Sequence, residues 1–142
     1  MVDKFIGDAA MAVYGLDRSS NPCESALQTA LGIRDGLVTL NEELVGRGLT
    51  PLRNGIGIHY GSVVSGNIGS EERLEYTVIG DAVNIAARLE NATKELPSPI
   101  AISVDRYNLL EEDSRNQLSA LEKVSLKEKS MPRPVYGIPE TA

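Results

Sequence analysis

The sequence predicts an α/β (α+β) fold in which a mixed, largely antiparallel sheet is flanked by helices. Short runs in which apolar and polar residues alternate, as in half-buried strands, recur along the chain. Two longer segments repeat apolar residues at helical spacing. Closely spaced strand pairs are frequent, which favours hairpins over an all-parallel sheet. With 142 residues, of which 42% are hydrophobic, the chain is large enough to form one domain with its own core.

The chain begins with a predicted β-hairpin. Residues 2–5 and 10–14 are apolar-rich runs, and Gly7 and Asp8 between them have the residue types of a tight turn. This arrangement puts the carboxylate of Asp8 at the hairpin tip and Lys4 on the strand that leads into it.

A long amphipathic helix is predicted next. Asn21 and Pro22 are typical of an N-cap and a first helical residue, and the helix is expected to end near Gly46. The apolar residues that recur at helical spacing are Ala26, Leu27, Ala30, Leu31, Ile33, Leu37, Leu40 and Leu44.

The middle of the chain alternates strands with turns. The alternating residues 56–60 predict one strand, and a run beginning at Val63 predicts another. Residues 66–70 are expected to form a loop. Residues 76–79 predict a further strand, which leads through a Gly-Asp turn into a helix over about 80–94.

The last third of the chain is expected to complete the sheet. Residues 100–103 have the composition of a buried strand, and residues 105–110 predict a short helix. Residues 124–126 and 134–138 predict a closing hairpin, with residues 127–133 as its loop.

Composition narrows the range of functions. The formal net charge is −6 and the basic residues form no long run, which argues against nucleic acid as a partner. The single cysteine, Cys23, cannot form an internal disulfide, and the sequence has no signal peptide and no apolar run of membrane-spanning length. We expect a cytoplasmic domain, to which an upstream sensor or membrane domain could be joined in a longer protein.

Three polar residues are candidates for function, and each has a plainer interpretation. Asp8 lies where a Gly-Asp pair also makes an ordinary turn. Asn84 and Arg88 are four residues apart, so they share one face of the predicted helix close to its start. A solvated helix face would show the same spacing, and position alone leaves both interpretations open.

A longer pattern favours function. The segment from Glu75 to Glu90, EYTVIGDAVNIAARLE, resembles the signature segment of class III adenylate and guanylate cyclases. In the same order, residues 5–9 resemble the family's second metal-aspartate hairpin, residues 57–69 its central strand pair, and residues 126–127 its late phosphate-contacting loop. Ordered matches over essentially the whole chain are far more specific than a lone motif. The resemblance implies the family's ferredoxin-like core.

The resemblance also implies a set of catalytic roles. Asp8 matches one of two aspartates that hold a pair of Mg²⁺ or Mn²⁺ ions, which activate the ribose 3′-hydroxyl and neutralise the triphosphate. Arg88 matches the arginine that stabilises the transferring phosphoryl group, and Asn84 matches the asparagine that positions the ribose. Lys127 matches a lysine that contacts the terminal phosphates, although Glu128 follows it where the family usually has glycine.

Two further matches concern the base. Lys4 and Thr77 correspond to the pair that reads the purine in the family. An ammonium group can donate to adenine N1, and a hydroxyl can accept from the exocyclic amine, whereas guanine would favour a carboxylate in place of Lys4. The resemblance therefore predicts ATP as substrate and cyclic AMP with pyrophosphate as products.

Family members form active sites between two catalytic domains in a head-to-tail homodimer, so Asp8 and Arg88 of one chain are expected to serve different sites. Residues 1–142 correspond to a catalytic domain that lacks the family's first strand, with its metal aspartate, and its opening helices. We therefore expect the complete domain to be an adenylate cyclase and these 142 residues alone to be inactive. The alternative is a non-catalytic cyclase-homology module that regulates or dimerises.

Overall fold

The structure of the protein is a computed structural model. The described residues are 2–15, 21–61, 64–68, 75–96, 98–103, 110–124 and 133–138. The strands within them are β1 (Val2–Ile6), β2 (Ala9–Ala12), β3 (Ile56–Ile58), β4 (Val64–Ile68), β5 (Glu75–Ile79), β6 (Ile100–Ser103), β7 (Ser119–Val124) and β8 (Arg133–Gly137). The helices are α1 (Pro22–Gly46), α2 (Asp81–Ala92) and α3 (Glu112–Gln117).

The central sheet has the strand order β3-β6-β8-β7. Strands β3 and β6 run parallel, whereas β8 is antiparallel to both β6 and β7. Two separate antiparallel pairs, β1-β2 and β4-β5, account for the other described strands. The predicted α+β class, with its mixed and largely antiparallel pairing, is confirmed.

Strand β6 is buried along its whole length and lies between two hydrophobic clusters. Ile100 and Ile102 pack with the start of α1, whereas Ala101 packs with Ile85 and Leu89 of α2. Successive side chains of a strand point to opposite faces of the sheet. The two long helices therefore cover opposite faces of the central sheet.

The β1-β2 pair is the predicted hairpin. Ile6 pairs with Ala9, which leaves Gly7 and Asp8 as a two-residue turn. Gly7 has a φ of +60°, a left-handed conformation that glycine adopts at little cost. Asp8 is exposed at the tip, and Phe5, which pairs with Ala10, has 77% of its surface exposed.

Helix α1 begins and ends where the sequence predicts. The Asn21 side chain accepts a hydrogen bond of 3.2 Å from the Glu24 backbone N–H, and Pro22 occupies the first turn, where its missing N–H costs nothing. Its buried apolar residues all lie in the first half: Cys23, Leu27, Ala30 and Leu31. Over the described residues, no helix combines the length and apolarity needed to cross a bilayer.

Several predicted boundaries differ from the structure, and β3, for example, ends at Ile58 rather than at residue 60. Residues 66–68 belong to β4 rather than to a loop. Glycine and asparagine have low strand propensity, but pairing with β5 holds this segment in a strand. The strand expected at 124–126 begins earlier, at Ser119, and β7 includes Val124, whereas residues 125 and 126 lie outside the described residues. The short helix predicted over 105–110 falls largely outside the described residues, and α3 follows it without having been predicted.

A buried carboxylate joins the start of α1 to the start of α3. Glu24 accepts hydrogen bonds from the Ser114 hydroxyl, from Gln28 Nε2 at 3.0 Å and from the Glu111 backbone N–H at 3.1 Å. Burial by itself raises the pKa of Glu24, but these three donors favour the ionised form and hold the pKa below its ordinary value of 4.5. The ionised carboxylate therefore stabilises the fold at neutral pH.

Glu24→Gln is expected to lower the free energy of unfolding at pH 7 by about 1–3 kcal/mol, because an amide cannot accept all of these hydrogen bonds. Because the folded-state pKa is lowered, the stabilisation is present above the ordinary value and is lost as pH falls through the folded-state pKa. The difference between wild type and variant should therefore shrink below about pH 4.5.

Urea unfolding followed by circular dichroism over a range of pH measures this difference. Glu42→Gln is the matched control, because Glu42 is an exposed glutamate on the same helix, and it should change stability by less than about 0.5 kcal/mol. A stability difference for Glu24→Gln that did not vary with pH would contradict the role of the carboxylate.

Candidate functional site

Helix α2 begins directly after β5. Gly80 connects them with a φ of +153°, a conformation that residues with a Cβ rarely adopt. Asp81 places negative charge in the first turn, where the helix dipole favours it. The predicted strand, turn and helix are confirmed, and the helix ends at Ala92, two residues before the expected end at Lys94.

The two sides of α2 differ in burial. Ala82, Ile85 and Leu89 are buried, whereas Asn84 is exposed and Arg88 is half-buried. Asn84 and Arg88 are one turn apart, so their side chains are neighbours on a face that the core does not occupy. An amide and a guanidinium side by side can together bind hydroxyl groups and anionic oxygens.

The buried side of α2 lies directly on β3. A methyl group at Gly57 would collide with the backbone of Ala86 and of Glu90, and it would lie 2.9 Å from Leu89 Cβ. Only a residue without a side chain allows the helix backbone this close. Strand alternation did not predict the contact, although an isolated glycine in a strand pattern is typical of close backbone approach.

The strands that carry Lys4 and Thr77 are neighbours. Strand β1 lies beside β5, and β5 in turn contacts α2. The backbones of Lys4 and Thr77 are described, but their side chains are not. Asp8 lies at the far end of β1, on the exposed tip of the hairpin, and Lys127 lies outside the described residues.

No complete metal site is formed by the described residues. Among them, no three His, Cys, Asp or Glu side chains are grouped closely enough to hold an ion. Mg²⁺ and Mn²⁺ require several oxygen ligands, of which Asp8 can supply one carboxylate. The described part of a single chain therefore does not fit a two-ion centre on its own.

His59 serves the core. It follows β3, and its Nδ1 lies 2.7 Å from the hydroxyl of Ser103, a residue that is buried at the end of β6. This bond satisfies a polar group inside the protein, as buried hydroxyls generally require. The contact therefore gives His59 a structural role.

Comparisons of the sequence and of the structure with known proteins point to the same family. The model of the adenylate and guanylate cyclase catalytic domain matches residues 3–136. Uncharacterised proteins of Mycobacterium bovis and Mycobacterium tuberculosis are each 40% identical to the chain over 133 residues, which make up 93% of this chain and 22% of each relative. The chain thus spans about a fifth of the length of these relatives.

Solved structures with a similar fold are also cyclases. The adenylyl cyclase CyaB from P. aeruginosa has a TM-score of 0.81 and 26% identity, over 99% of this chain and 72% of that one. The guanylyl cyclase Cya2 has a TM-score of 0.79 and 30% identity, over 99% and 71% of the two chains. A bacterial light-regulated adenylyl cyclase has a TM-score of 0.75 and 29% identity, over 96% and 37%.

The assignment of a core side and an outer side to α2 can be tested by comparing the free energy of unfolding of one variant on each side. Asn84→Ala is expected to change the free energy of unfolding by less than about 0.5 kcal/mol, because the side chain is exposed and alanine favours helix. Ile85→Ala is expected to cost about 2–5 kcal/mol, because it leaves a cavity in the cluster around Ala101. Denaturant unfolding of the two variants measures the contrast, and equal costs would show that the faces have been assigned wrongly.

Proposed function

The chain belongs to the adenylate and guanylate cyclase catalytic domain family, as its motifs predicted, and from that premise we propose that it is the catalytic part of an adenylate cyclase. The reaction converts ATP to 3′,5′-cyclic AMP and pyrophosphate. The observation that carries the proposal is the pairing of Asn84 with Arg88 on the outer face of α2, one turn apart and immediately after β5.

The proposed chemistry needs charge stabilisation more than it needs a protein nucleophile. The ribose 3′-oxygen bonds to the α-phosphorus, the bond to the bridging oxygen breaks, and pyrophosphate leaves as the hydroxyl proton is released. Arg88 would donate to the oxygens that gain charge at the transferring phosphoryl group, and Asn84 would hold the ribose. A helix suits both tasks, because it holds donors in a preorganised position.

The proposed substrate rests on residue chemistry. The similar structures include both adenylyl and guanylyl cyclases, so similarity leaves the choice of base open. Lys4 and Thr77 together complement adenine, and the adjacency of β1 and β5 supports their acting as a pair. Lys127 would add a cation for the terminal phosphates.

The proposed active site is shared between two chains in a head-to-tail homodimer. The support is the β1-β2 hairpin, which carries Asp8 on its exposed tip and a phenylalanine on β1 that is 77% exposed. A large exposed aromatic next to a polar tip is suited to burial against a partner. Asp8 would bring its carboxylate to the partner's nucleotide, where divalent ions such as Mg²⁺ or Mn²⁺ would require further oxygen donors.

A non-catalytic cyclase-homology module is the second candidate. It is favoured by one observation: among the described residues, no three His, Cys, Asp or Glu side chains are grouped closely enough to hold a metal ion. Assay of the complete gene product with ATP and Mn²⁺ separates the two candidates, since a module of this kind would form no cyclic AMP.

The unmodified complete gene product is expected to prefer ATP to GTP, and Lys4→Glu should shift that preference by about 10- to 100-fold towards GTP. The reason is that one well-placed base contact contributes about 1–3 kcal/mol of discrimination. Rates of cyclic AMP and cyclic GMP formation at equal nucleotide concentrations provide the measurement. Lys94→Glu, at an exposed lysine after α2, is the control for the change of charge. Equal use of both nucleotides by the unmodified protein would contradict the assignment of Lys4.

Mixing inactive Asp8→Ala chains with inactive Arg88→Ala chains should restore activity. One of the two sites in each mixed dimer inherits both intact residues, so random exchange of subunits should give about a quarter of the unmodified rate. The control replaces the Arg88→Ala chain with a chain that carries both substitutions, which should restore nothing. No recovery after mixed dimers have been verified by mass would exclude a shared site.

A further inference from the structure

Three glycines, one within β3 and one on either side of it, face helix α2. Gly55 precedes β3, Gly57 lies within it and Gly61 follows it. A methyl group at Gly55 would collide with Thr93 Oγ1 and lie 3.2 Å from the Glu90 carbonyl oxygen. A methyl group at Gly61 would lie 2.8 Å from Ala82 Cβ. We call Gly55, Gly57 and Gly61 the glycine track.

The glycine track runs antiparallel to α2. Its first member meets the C-terminal end of the helix at Thr93, its middle member meets Ala86 and Glu90, and its last member meets Ala82 near the N-terminus. Because these contacts lie at three positions along the helix axis, they oppose both tilting of α2 against β3 and sliding of α2 along it. The track therefore defines the position of α2 along β3 as well as its distance from the sheet.

The middle contact cannot be relieved by a side chain. At Gly57 two of the three nearest atoms belong to the helix backbone, namely the Ala86 carbonyl oxygen and the Glu90 nitrogen. A methyl group there would have to move the helix itself by roughly 1 Å to reach ordinary contact distance. The contact at Gly61 differs, because its nearest neighbour is the methyl group of Ala82.

The residues of the proposed site lie opposite this contact. The residues that meet the track form one stripe on α2 and its C-cap: Ala82, Ala86, Leu89, Glu90 and Thr93. Asn84 lies roughly half a turn of the helix away from that stripe, and Arg88 follows it by one turn. A displacement of the stripe is thus transmitted directly to Asn84 and Arg88.

We propose that Gly57, supported by Gly55 and Gly61, is a positioning residue for catalysis, which sets the place of Asn84 and Arg88 through the backbone of α2. The inference rests on the proposed cyclase function. A misplacement of about 1 Å in a catalytic group can cost about 100-fold in rate. The track therefore acts on turnover rather than on the capture of nucleotide.

The test uses the complete gene product with ATP and Mn²⁺, well below its melting temperature. Gly57→Ala is expected to lower kcat by about 100-fold and Gly61→Ala by about 10-fold, with KM within about twofold of the unmodified value. Ala82→Gly, which removes the clashing methyl group, should return the kcat of Gly61→Ala to within about threefold of Ala82→Gly alone. Gly36→Ala is the matched control, because nothing lies within 4 Å of the new methyl group, and its kcat should not change.

Two results would overturn the inference: an unchanged kcat in both folded glycine variants, or a loss in Gly61→Ala that Ala82→Gly does not restore. If Gly57→Ala does not fold, the Gly61 and Ala82 pair decides alone. Hydrogen exchange of the α2 amides supplies a readout without activity, and faster exchange in Gly61→Ala is expected. An inactive unmodified protein refutes the proposed function and the catalytic role of the track, while the exchange result still decides whether the glycines hold α2.

Discussion

Helix α2 and strand β3 meet backbone to backbone, and this contact sets where the helix lies on the sheet. At Gly57 the helix backbone rests on the strand backbone with no side chain between them. Because the helix is held so close, Ile85 and Leu89 reach the cluster around Ala101 and Val135. The opposite face, with Asn84 and Arg88, is then left outside the core by the 3.6-residue period of the helix.

The central sheet is packed against a helix on each of its two faces. β6 is buried on both sides, so its alternate residues belong to different clusters, one under α1 and one under α2. The α1 side is further held by Glu24, whose carboxylate accepts hydrogen bonds from Glu111 and Ser114 at the start of α3. A buried carboxylate with several donors is costly to lose, because the donors would remain unsatisfied. Together these contacts support β3 and therefore the helix that lies on it.

The proposed division of labour between two chains follows from where the fold leaves exposed polar groups. Asp8 projects on a thin two-stranded hairpin, which has too little apolar surface to be a core of its own. Asn84 and Arg88 lie on a helix whose position is set by packing. The exposed carboxylate and the preorganised donors thus suit opposite sides of the proposed shared site.

Features that depend on neighbouring residues could be predicted from the sequence. The Asn21-Pro22 start of α1, the Gly7-Asp8 turn and the one-turn spacing of Asn84 and Arg88 depend on neighbours in the chain, so pattern and propensity were enough to predict them. The ordered motifs likewise identified the family. Contacts between distant segments could not be predicted in this way. Strand β4 gains its hydrogen bonds from β5, and the need for glycine at position 57 comes from a helix about thirty residues later. Such contacts leave no periodic trace in a single sequence, since they depend on which backbones meet.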